Sequence, residues 1–309
     1  MSEASRIADA LGGGRRFGRN YLVSCPVSGH GKGAGDKQPS LRISDGDKAL
    51  LVKCYGGCPT ADILAELRAR GLLHDHGRRH RPPDPMDVIR RKREDEERRQ
   101  KGITKAQRLW GEGASIESTL AEQYLRARAI IIPLPNVLRF HPELPFWHDV
   151  NGKPRIHSCW PAMLAVIEDE TGVVAVQRTY LDPSGRGKAK LPDGAKPKLT
   201  YGPKGAGAVR LGPVLEELGI AEGTETALSA KQLYGGTVWA SCGSPKSVAL
   251  PDEVKRVIIY GDNGDSGHRM ANEAAVLFSA QGHKVWLSFP DEQFDDFNTA
   301  LRLQAGGLA

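Results

Sequence analysis

The stretch from Leu218 to the C-terminus alternates short apolar segments with segments of helical spacing, and this alternation constrains the fold more than any other feature. The strand-like segments are GIAE, TVWAS, RVIIYGD and KVWLSF, and the helical segments between them include TETALSAKQLY and GHRMANEAAVLFSAQG. Strands that alternate with helices along a chain form a parallel sheet covered by helices. The sequence therefore predicts an α/β domain over residues 214–309, with its functional site at the carboxyl ends of the strands.

Acidic residues follow three of these predicted strands. Glu222 comes at the end of the first strand, Asp262 ends the third with Asp265 three residues later, and Asp296 follows the fourth. Because the carboxyl ends of parallel strands share one edge of the sheet, these carboxylates would repel one another unless cations lay between them. The pattern predicts a cation site at this edge.

Two simpler interpretations of these acids compete with a cation site. The twelve residues that begin at Asp262 end in glutamate like an EF-hand loop, but Gly264 offers no ligand at the third position and a strand precedes the loop. Asp262 and Asp265 also suit turn and helix-capping positions. Capping does not account for Glu222, which lies on another strand and is followed by Gly223, where a ligand can approach the backbone.

The N-terminal part of the chain holds four candidate metal ligands in two closely spaced pairs. Cys25 and His30 form the first pair, and Cys54 and Cys58 form the second, on the tight CYGGC turn. The segments SLRIS and ALLVKC have the composition of strands, and TADILAELRARG has that of a helix. Four such ligands satisfy tetrahedral zinc, so residues 1–77 are predicted to form a zinc ribbon with a structural Zn²⁺.

Other uses of these residues stay open. The cysteines would otherwise be buried without a metal, and further candidate ligands follow the helix, namely His74, His76 and His80. The chain has five cysteines, an odd number that argues against a framework of disulfides. The N-terminus lacks the apolar core of a secretory signal and no apolar run is long enough to cross a membrane, so a cytoplasmic location and no membrane partner are expected.

A charged segment from residue 78 to residue 112 separates the N-terminal part from the rest. Residues 78–108 contain twelve Lys or Arg and six Asp or Glu, a net charge of 12 − 6 = +6, which equals the formal net charge of the whole protein. Opposite charges four residues apart, such as Arg90 and Glu94, predict an exposed, salt-bridged helix. Since RPPDP interrupts any helix, the segment is predicted to be a basic, partly helical linker, with nucleic-acid binding as the alternative.

Residues 113–213 are predicted to form a basic α+β subdomain. MLAVIED and VVAVQRTYL flank Glu-Thr-Gly and alternate well enough to predict a β-hairpin. Basic residues follow without compensating acids, and four of them are candidate ligands for the phosphates of a substrate: Arg178, Lys188, Lys198 and Lys204. A solubilising loop is the alternative interpretation.

Two sets of motifs resemble one known family. CPVSGH, KQPSLRI and VKCYGGC resemble the zinc-binding domain of bacterial and phage primases, although the histidine follows the cysteine by five residues, two more than is usual. IAEGTETAL, IIYGDNGDSG and DDFNTAL resemble the Toprim domain. This resemblance implies that Glu222 is a metal ligand or general base, that Asp262 and Asp265 are catalytic magnesium ligands, and that Asp296 is an added acid. Mg²⁺ is thus the expected catalytic cofactor, with Mn²⁺ as a possible substitute. Two residues rather than the usual one separate Asp262 from Asp265, which leaves open which of them is the principal ligand.

The order of zinc module, basic subdomain and Toprim domain resembles a phage- or plasmid-type DNA primase. The resemblance implies a nucleotidyltransferase that makes short RNA primers from nucleoside triphosphates on a single-stranded DNA template. No P-loop motif GxxxxGK[ST] occurs, so a separate replicative helicase would supply unwinding. A Toprim-type DNA nuclease and a noncatalytic single-stranded DNA-binding protein are the alternatives.

Overall fold

The computed structural model describes residues 2–18, 20–28, 30, 36, 39–46, 49–73, 85–150 and 153–306. It divides into two compact units, Met1–Arg93 and Glu94–Ala309. The rival zinc ligands His74, His76 and His80, and the part of the basic linker before residue 85, lie outside the described residues. Among the described residues, no helix combines the length and the apolar composition that a bilayer-spanning segment needs.

The first unit contains a four-stranded antiparallel sheet with a helix at each end of its sequence. Helix α1 spans Glu3–Ala10, and strands β1 to β4 span Arg15–Phe17, Asn20–Val23, Leu41–Asp45 and Leu50–Cys54 in the order β1-β2-β3-β4. Helix α2 spans Thr60–Ala69. The strands and α2 confirm the predicted zinc-ribbon arrangement. The sequence interpretation missed α1, which begins where the Ser2 side chain accepts a hydrogen bond from the backbone of Ser5 at 3.2 Å.

The charged segment forms one continuous helix over its described part. Helix α3 spans Pro85–Glu112, with proline at a first-turn position where its missing N–H costs nothing. Salt bridges one turn apart line its exposed face, as between Arg108 and Glu112 at 3.0 Å. Its C-terminal half also buries Ile103 and Leu109. That half of the helix is therefore part of the hydrophobic core of the second unit.

A second antiparallel sheet follows α3. Its strands are β5 (Ala114–Ser115), β6 (Leu138–Val150), β7 (Lys153–Asp169), β8 (Gly172–Tyr180) and β9 (Lys198–Tyr201), paired in chain order, and helix α4 (Leu120–Arg126) lies between β5 and β6 in sequence. The predicted hairpin is confirmed as β7 and β8, where Asp169 pairs with Gly172 across the turn. This sheet delivers Lys198, the first residue of β9, to the site described below.

The C-terminal sheet confirms the predicted parallel α/β architecture. Its strands are β10 (Val209–Arg210), β11 (Glu217–Ala221), β12 (Val238–Ala240), β13 (Arg256–Tyr260) and β14 (Lys284–Ser288), in the order β10-β12-β11-β13-β14. Only β10 pairs antiparallel. The helices are α5 (Thr224–Tyr234), α6 (Asp265–Ala280) and α7 (Phe297–Gly306). Because β11 is central and β13 is its neighbour, the loops that follow these two strands meet at one edge.

Two glycines test the packing of the second unit. A Cβ on Gly219 in β11 would lie 2.7 Å from Cε2 of Tyr260 and 2.9 Å from Cγ2 of Val238, whereas a Cβ on Gly111 in α3 meets nothing within 4 Å. We expect Gly219→Ala to lower the free energy of unfolding by about 1 to 3 kcal/mol through overpacking. Gly111→Ala should raise it by up to about 1 kcal/mol because alanine is the better helix former. Urea denaturation followed by circular dichroism measures both, and equal effects of the two variants would contradict this packing.

Candidate functional site: a Cys3His cluster and an acidic sheet edge

The four predicted zinc ligands come together in the first unit. The ligand atoms of Cys25, His30, Cys54 and Cys58 all lie within 4.8 Å of one another. Cys25 follows β2, Cys54 ends β4 and Cys58 lies just before α2, so the sheet and the helix fix three sulfurs around the histidine. The Nδ1 atom of His30 is 3.2 Å from the Cys58 Sγ and 3.5 Å from the Cys54 Sγ, so this nitrogen faces the sulfurs.

Side chains around the cluster hold the histidine from its other side. The Nε2 atom of His30 lies 3.6 Å from Oδ1 of Asp36 and 3.3 Å from Oγ of Ser40. Oδ2 of Asp36 in turn accepts hydrogen bonds from the Cys25 backbone at 2.6 Å and from the Ser40 hydroxyl at 2.8 Å. A carboxylate on the second nitrogen of a ligating histidine fixes its tautomer and orientation. The sequence interpretation named the ligands but missed Asp36 and Ser40.

The chemistry of the cluster fits zinc. Three thiols and one imidazole nitrogen are the donors of tetrahedral structural sites. Burial acts to raise the pKa of Cys54, but hydrogen bonds from the backbone of Cys58 and Gly56 and from Ser40 lower it to about 7, which favours the thiolate that binds metal. A Cβ on Gly56 would lie 2.2 Å from Cε1 of His30, so glycine is needed where the turn passes the ring.

Three of the predicted acids meet at the carboxyl edge of the C-terminal sheet. Glu222 directly follows β11, Asp262 lies two residues after β13, and Asp296 directly precedes α7. Burial first, and then the charges of Glu222 and Asp296, raise the pKa of Asp262 to about 6. Burial also raises the pKa of Glu222. The Oδ1 atom of Asp262 is buried and has no hydrogen-bond partner among the described residues.

A buried carboxylate oxygen without a donor, repelled by two further acids, fits the binding of a divalent cation. Hard cations such as Mg²⁺ take carboxylate oxygens as ligands, and a cation removes the repulsion that otherwise opposes ionisation of Asp262. Two of the acids thus suit the predicted metal site by position and charge, Glu222 and Asp262. Their roles as ligands and catalytic residues stay predictions.

The other predicted acids have more local surroundings. Asp265 is exposed in the first turn of α6, a position that favours a negative charge at a helix N-terminus. Oδ1 of Asp296 accepts hydrogen bonds from the backbone and hydroxyl of Thr299, at 2.7 and 2.8 Å, and so caps α7. Asp296 therefore combines a capping role with a charge that acts on Asp262. The assignment of Asp265 as a magnesium ligand stays a prediction.

Asn263, the first of the two residues between Asp262 and Asp265, joins two loops at this edge. Its side-chain amide donates to the backbone carbonyl of Phe294 at 2.7 Å and of Pro290 at 3.1 Å. Its backbone N–H donates to the carbonyl of Asp295 at 2.8 Å. The turn after β13 and the loop before α7 are therefore held to each other by one asparagine.

The four predicted phosphate ligands take different positions. Lys198 and Lys188 both reach Glu225, with their Nζ atoms 2.5 Å and 3.5 Å from its two carboxylate oxygens. Lys204 donates to the Ser247 hydroxyl at 2.8 Å. Arg178 stacks its guanidinium over the ring of Tyr201, with 4.8 Å between Cζ and the ring centroid.

Of these four basic residues, Lys198 acts on the acidic edge, because its charge opposes the rise in the pKa of both Glu222 and Asp262. The sequence interpretation missed Glu225, the partner of the two lysines. Two features of the sequence could have indicated Glu225. In IAEGTETAL a second acid stands three residues after Glu222, and the lysines of the middle segment had no assigned counter-charge.

The cysteine cluster predicts a measurable metal content. We expect the purified protein to hold a zinc ion in each chain, and Cys54→Ser to lose it because one of four ligands is removed. Cys159→Ser is the matched control, since Cys159 is an exposed cysteine outside the cluster. Inductively coupled plasma mass spectrometry measures the zinc. Retention of zinc by Cys54→Ser, or equal loss in both variants, would contradict the assignment.

The acidic edge predicts opposite effects of one substitution with and without magnesium. Without divalent cations we expect Asp262→Asn to raise the free energy of unfolding of the second unit by about 1 to 2 kcal/mol, because it removes a buried charge that two acids repel. Added Mg²⁺ should raise the melting temperature of the wild type and leave that of the variant unchanged. Calorimetry measures both, with Asp252→Asn, an exposed acid, as a control that behaves like the wild type. A destabilised Asp262→Asn protein in metal-free buffer would count against the repulsion.

Comparisons with known proteins separate the two parts of the second unit. Residues 217–306 match the family model of the Toprim domain. Residues 100–211 match a second family model, described as a domain of unknown function, DUF7146. No curated protein matches the sequence.

Three solved structures of primases are similar to the chain at low identity. The zinc-binding and RNA polymerase domains of the Aquifex aeolicus primase are 15% identical, over 98% of this chain and 82% of that chain, with a TM-score of 0.44. A DNA primase domain from Pseudomonas aeruginosa is 16% identical over 65% and 74% of the two chains, with a TM-score of 0.44. The primase fragment of the bacteriophage T7 primase-helicase protein is 15% identical over 63% and 70%, with a TM-score of 0.36.

The protein thus contains a Cys3His cluster in an N-terminal domain and a parallel α/β domain near its C-terminus. Residues 217–306 are a Toprim domain, and its carboxyl edge holds Glu222, Asp262 and Asp296.

Proposed function

We propose that the protein is a DNA primase that makes short RNA primers from nucleoside triphosphates on single-stranded DNA by magnesium-dependent nucleotidyl transfer. The observation that carries the proposal is the buried, unpartnered Oδ1 atom of Asp262, which shares the edge of a Toprim sheet with Glu222 and Asp296. A cation site at this edge, with lysines beside it, suits chemistry on phosphates.

The acids would hold the cations and position the reacting groups. Glu222 and Asp262 approach from neighbouring parallel strands and would bind Mg²⁺ from two sides, with Asp265 and Asp296 as further acidic positions. The chemistry that Mg²⁺ would supply there is neutralisation of the negative charge on the phosphate oxygens during a displacement at phosphorus. Glu222, whose pKa burial raises, is also placed to accept a proton at its carboxylate. Gly223, the next residue, has no side chain, and the place that a Cβ would take lies 3.5 Å from Nζ of Lys198.

The basic residues of the middle segment would bind the triphosphate. Lys198 and Lys188 carry two positive charges against the single negative charge of Glu225, so the group has an excess of one positive charge. Lysine is a point charge suited to phosphate oxygens. Lys204 and Arg178 are farther candidates, and both are engaged by neighbouring side chains, Ser247 and Tyr201.

The N-terminal domain would help to select the template strand. The Cys3His cluster joins a small sheet to α2, and basic residues on the strands of that sheet, such as Arg42 and Lys53, suit contacts to a nucleic acid. We propose domain boundaries at residues 1–77, 78–112, 113–213 and 214–309. We also propose a separate replicative helicase as the partner that unwinds the duplex.

The proposal is tested by primer synthesis. Purified protein is incubated with single-stranded circular DNA, labelled ATP, the other ribonucleotides and magnesium. We expect short labelled RNAs from the wild type, and a loss of about 100-fold or more in Glu222→Gln and Asp262→Asn, because each removes a charge that would bind the cation. Asp252→Asn, an exposed acid of the same domain, should retain the wild-type rate.

Each other outcome identifies a different function. Nicking of the DNA that depends on Glu222, without RNA synthesis, would replace the primase proposal by a nuclease. DNA binding without either reaction on several templates would indicate a noncatalytic single-stranded DNA-binding protein. RNA synthesis that survives both substitutions would contradict the roles given to the acids.

A further inference from the structure

We propose that Glu225 is a positioning residue that fixes the ammonium group of Lys198 against the acidic edge, where that group meets the phosphates of an incoming nucleoside triphosphate. The inference rests on the proposed function, and it assigns a role to a buried acid that the magnesium site does not use.

The contacts of Glu225 are those of a fixed, ionised carboxylate. Glu225 is 4% exposed. It lies in the first turn of α5, three residues after Glu222. Oε2 accepts a hydrogen bond from Lys198 at 2.5 Å, and Oε1 accepts one from the hydroxyl of Tyr124 at 2.8 Å. Although burial acts to raise it, Lys198 and Lys188 hold the pKa of Glu225 well below its usual range. The carboxylate therefore stays charged and keeps Lys198 protonated.

A polar chain that begins at Tyr124 holds the Oε1 atom of the Glu225 carboxylate. Arg128 Nε donates to the Tyr124 hydroxyl at 3.0 Å, and Arg128 Nη1 donates to Oδ1 of Asn298 at 2.9 Å. Asn298 also donates to the Ser229 hydroxyl at 2.9 Å. Buried networks in which every member is bonded keep side chains in a single arrangement. Glu225 consequently presents its Oε2 atom to Lys198 in a fixed direction.

Lys198 lies close to the acidic edge as well as to Glu225. Its Nζ atom lies 3.5 Å from the point where a Cβ on Gly223 would stand, and Gly223 directly follows Glu222. Among the described residues, Glu225 is the only side chain or backbone group that accepts a hydrogen bond from this ammonium. An ammonium has three N–H groups, so two remain for other acceptors.

The charges explain why the site favours an anion next to the cations. Lys198 and Lys188 share one carboxylate, and Arg128 adds a further positive charge on the far side of Tyr124. A buried ion pair alone contributes little to stability compared with apolar packing, whereas it fixes the geometry of a charged group. An excess of partly exposed positive charge beside an acidic cation site is suited to a ligand with both phosphates and bound magnesium.

The test is a double-mutant cycle on Glu225 and Lys198. If Glu225 acts through Lys198, then Glu225→Gln and Lys198→Met should each raise the KM for ATP in primer synthesis by about 10-fold, with kcat changed by less than about 3-fold. The double variant should be no worse than Lys198→Met alone. Additive effects of the two substitutions, or a loss confined to kcat, would overturn the proposal.

Glu273→Gln is the matched control. Glu273 forms an ion pair with Lys246 at the same 2.5 Å distance, on the exposed side of α6. Loss of that pair should leave the KM for ATP unchanged. A rise in KM equal to that of Glu225→Gln would show that any lost ion pair in this domain has the same effect, and would overturn the specific role of Glu225.

A second variant keeps the test valid if Glu225→Gln does not fold, because the amide leaves Lys198 without its charged partner. Glu225→Asp keeps the charge and withdraws it by one methylene, so we expect a folded protein with a KM raised by about 3-fold, smaller than the effect of the amide. An unchanged KM in a folded Glu225→Asp protein would contradict the positioning role. Thermal melting monitors folding in each variant.

A binding measurement separates failure of this inference from failure of the proposed function. A fluorescent ATP analogue is titrated in the presence of Ca²⁺ with the wild type and the same variants. If the wild type binds the analogue but makes no primers, the primase proposal fails. The double-mutant cycle on Glu225 and Lys198 is then evaluated on the dissociation constants, where the double variant should again be no worse than Lys198→Met alone. A wild type that neither makes primers nor binds the analogue would overturn both.

Discussion

Electrostatic repulsion among carboxylates at the end of the parallel sheet is the constraint that organises the second unit. Asp262 is held in a partly buried position where Glu222 and Asp296 oppose its ionisation, and its Oδ1 atom has no donor among the described residues. A fold does not gain stability from such an arrangement, since burying a carboxylate oxygen without a hydrogen-bond donor is costly. The rest of the unit compensates for it through a well-packed core around β11 and β13 and through the lysines of the middle sheet.

The sequence carried enough information for the architecture because its strongest patterns are local. Alternation of apolar and helical segments predicted the parallel sheet, and the spacing of Cys25, His30, Cys54 and Cys58 predicted the cluster that the structure forms. Both patterns depend on residues near each other in the chain or on one ordering rule for parallel strands. Helix α1 was missed because it has only eight residues, of which three are buried.

The surroundings of each site could not be predicted to the same extent. Asp36 contacts His30 and Cys25 across a loop, and Glu225 contacts Lys188, which lies between β8 and β9, and Lys198, the first residue of β9. These partners are distant in sequence, and no spacing rule connects an acid in α5 to a lysine 27 residues earlier. The sequence could show that the lysines lacked counter-charges, but only the packing of the middle sheet on the Toprim domain identifies the acid that supplies one.

Asn263 gives the unusual spacing of Asp262 and Asp265 a structural role, because it connects two loops of the acidic edge. The two residues between the aspartates are Asn263 and Gly264, and the asparagine binds three successive parts of the loop before α7, through Pro290, Phe294 and Asp295. Hydrogen bonds from this one residue therefore join the turn after β13 to the loop that carries Asp296. A residue inserted in either segment would have to break these hydrogen bonds or shift both loops, so the relative position of Asp262 and Asp296 depends on a residue whose hydrogen bonds reach neither carboxylate.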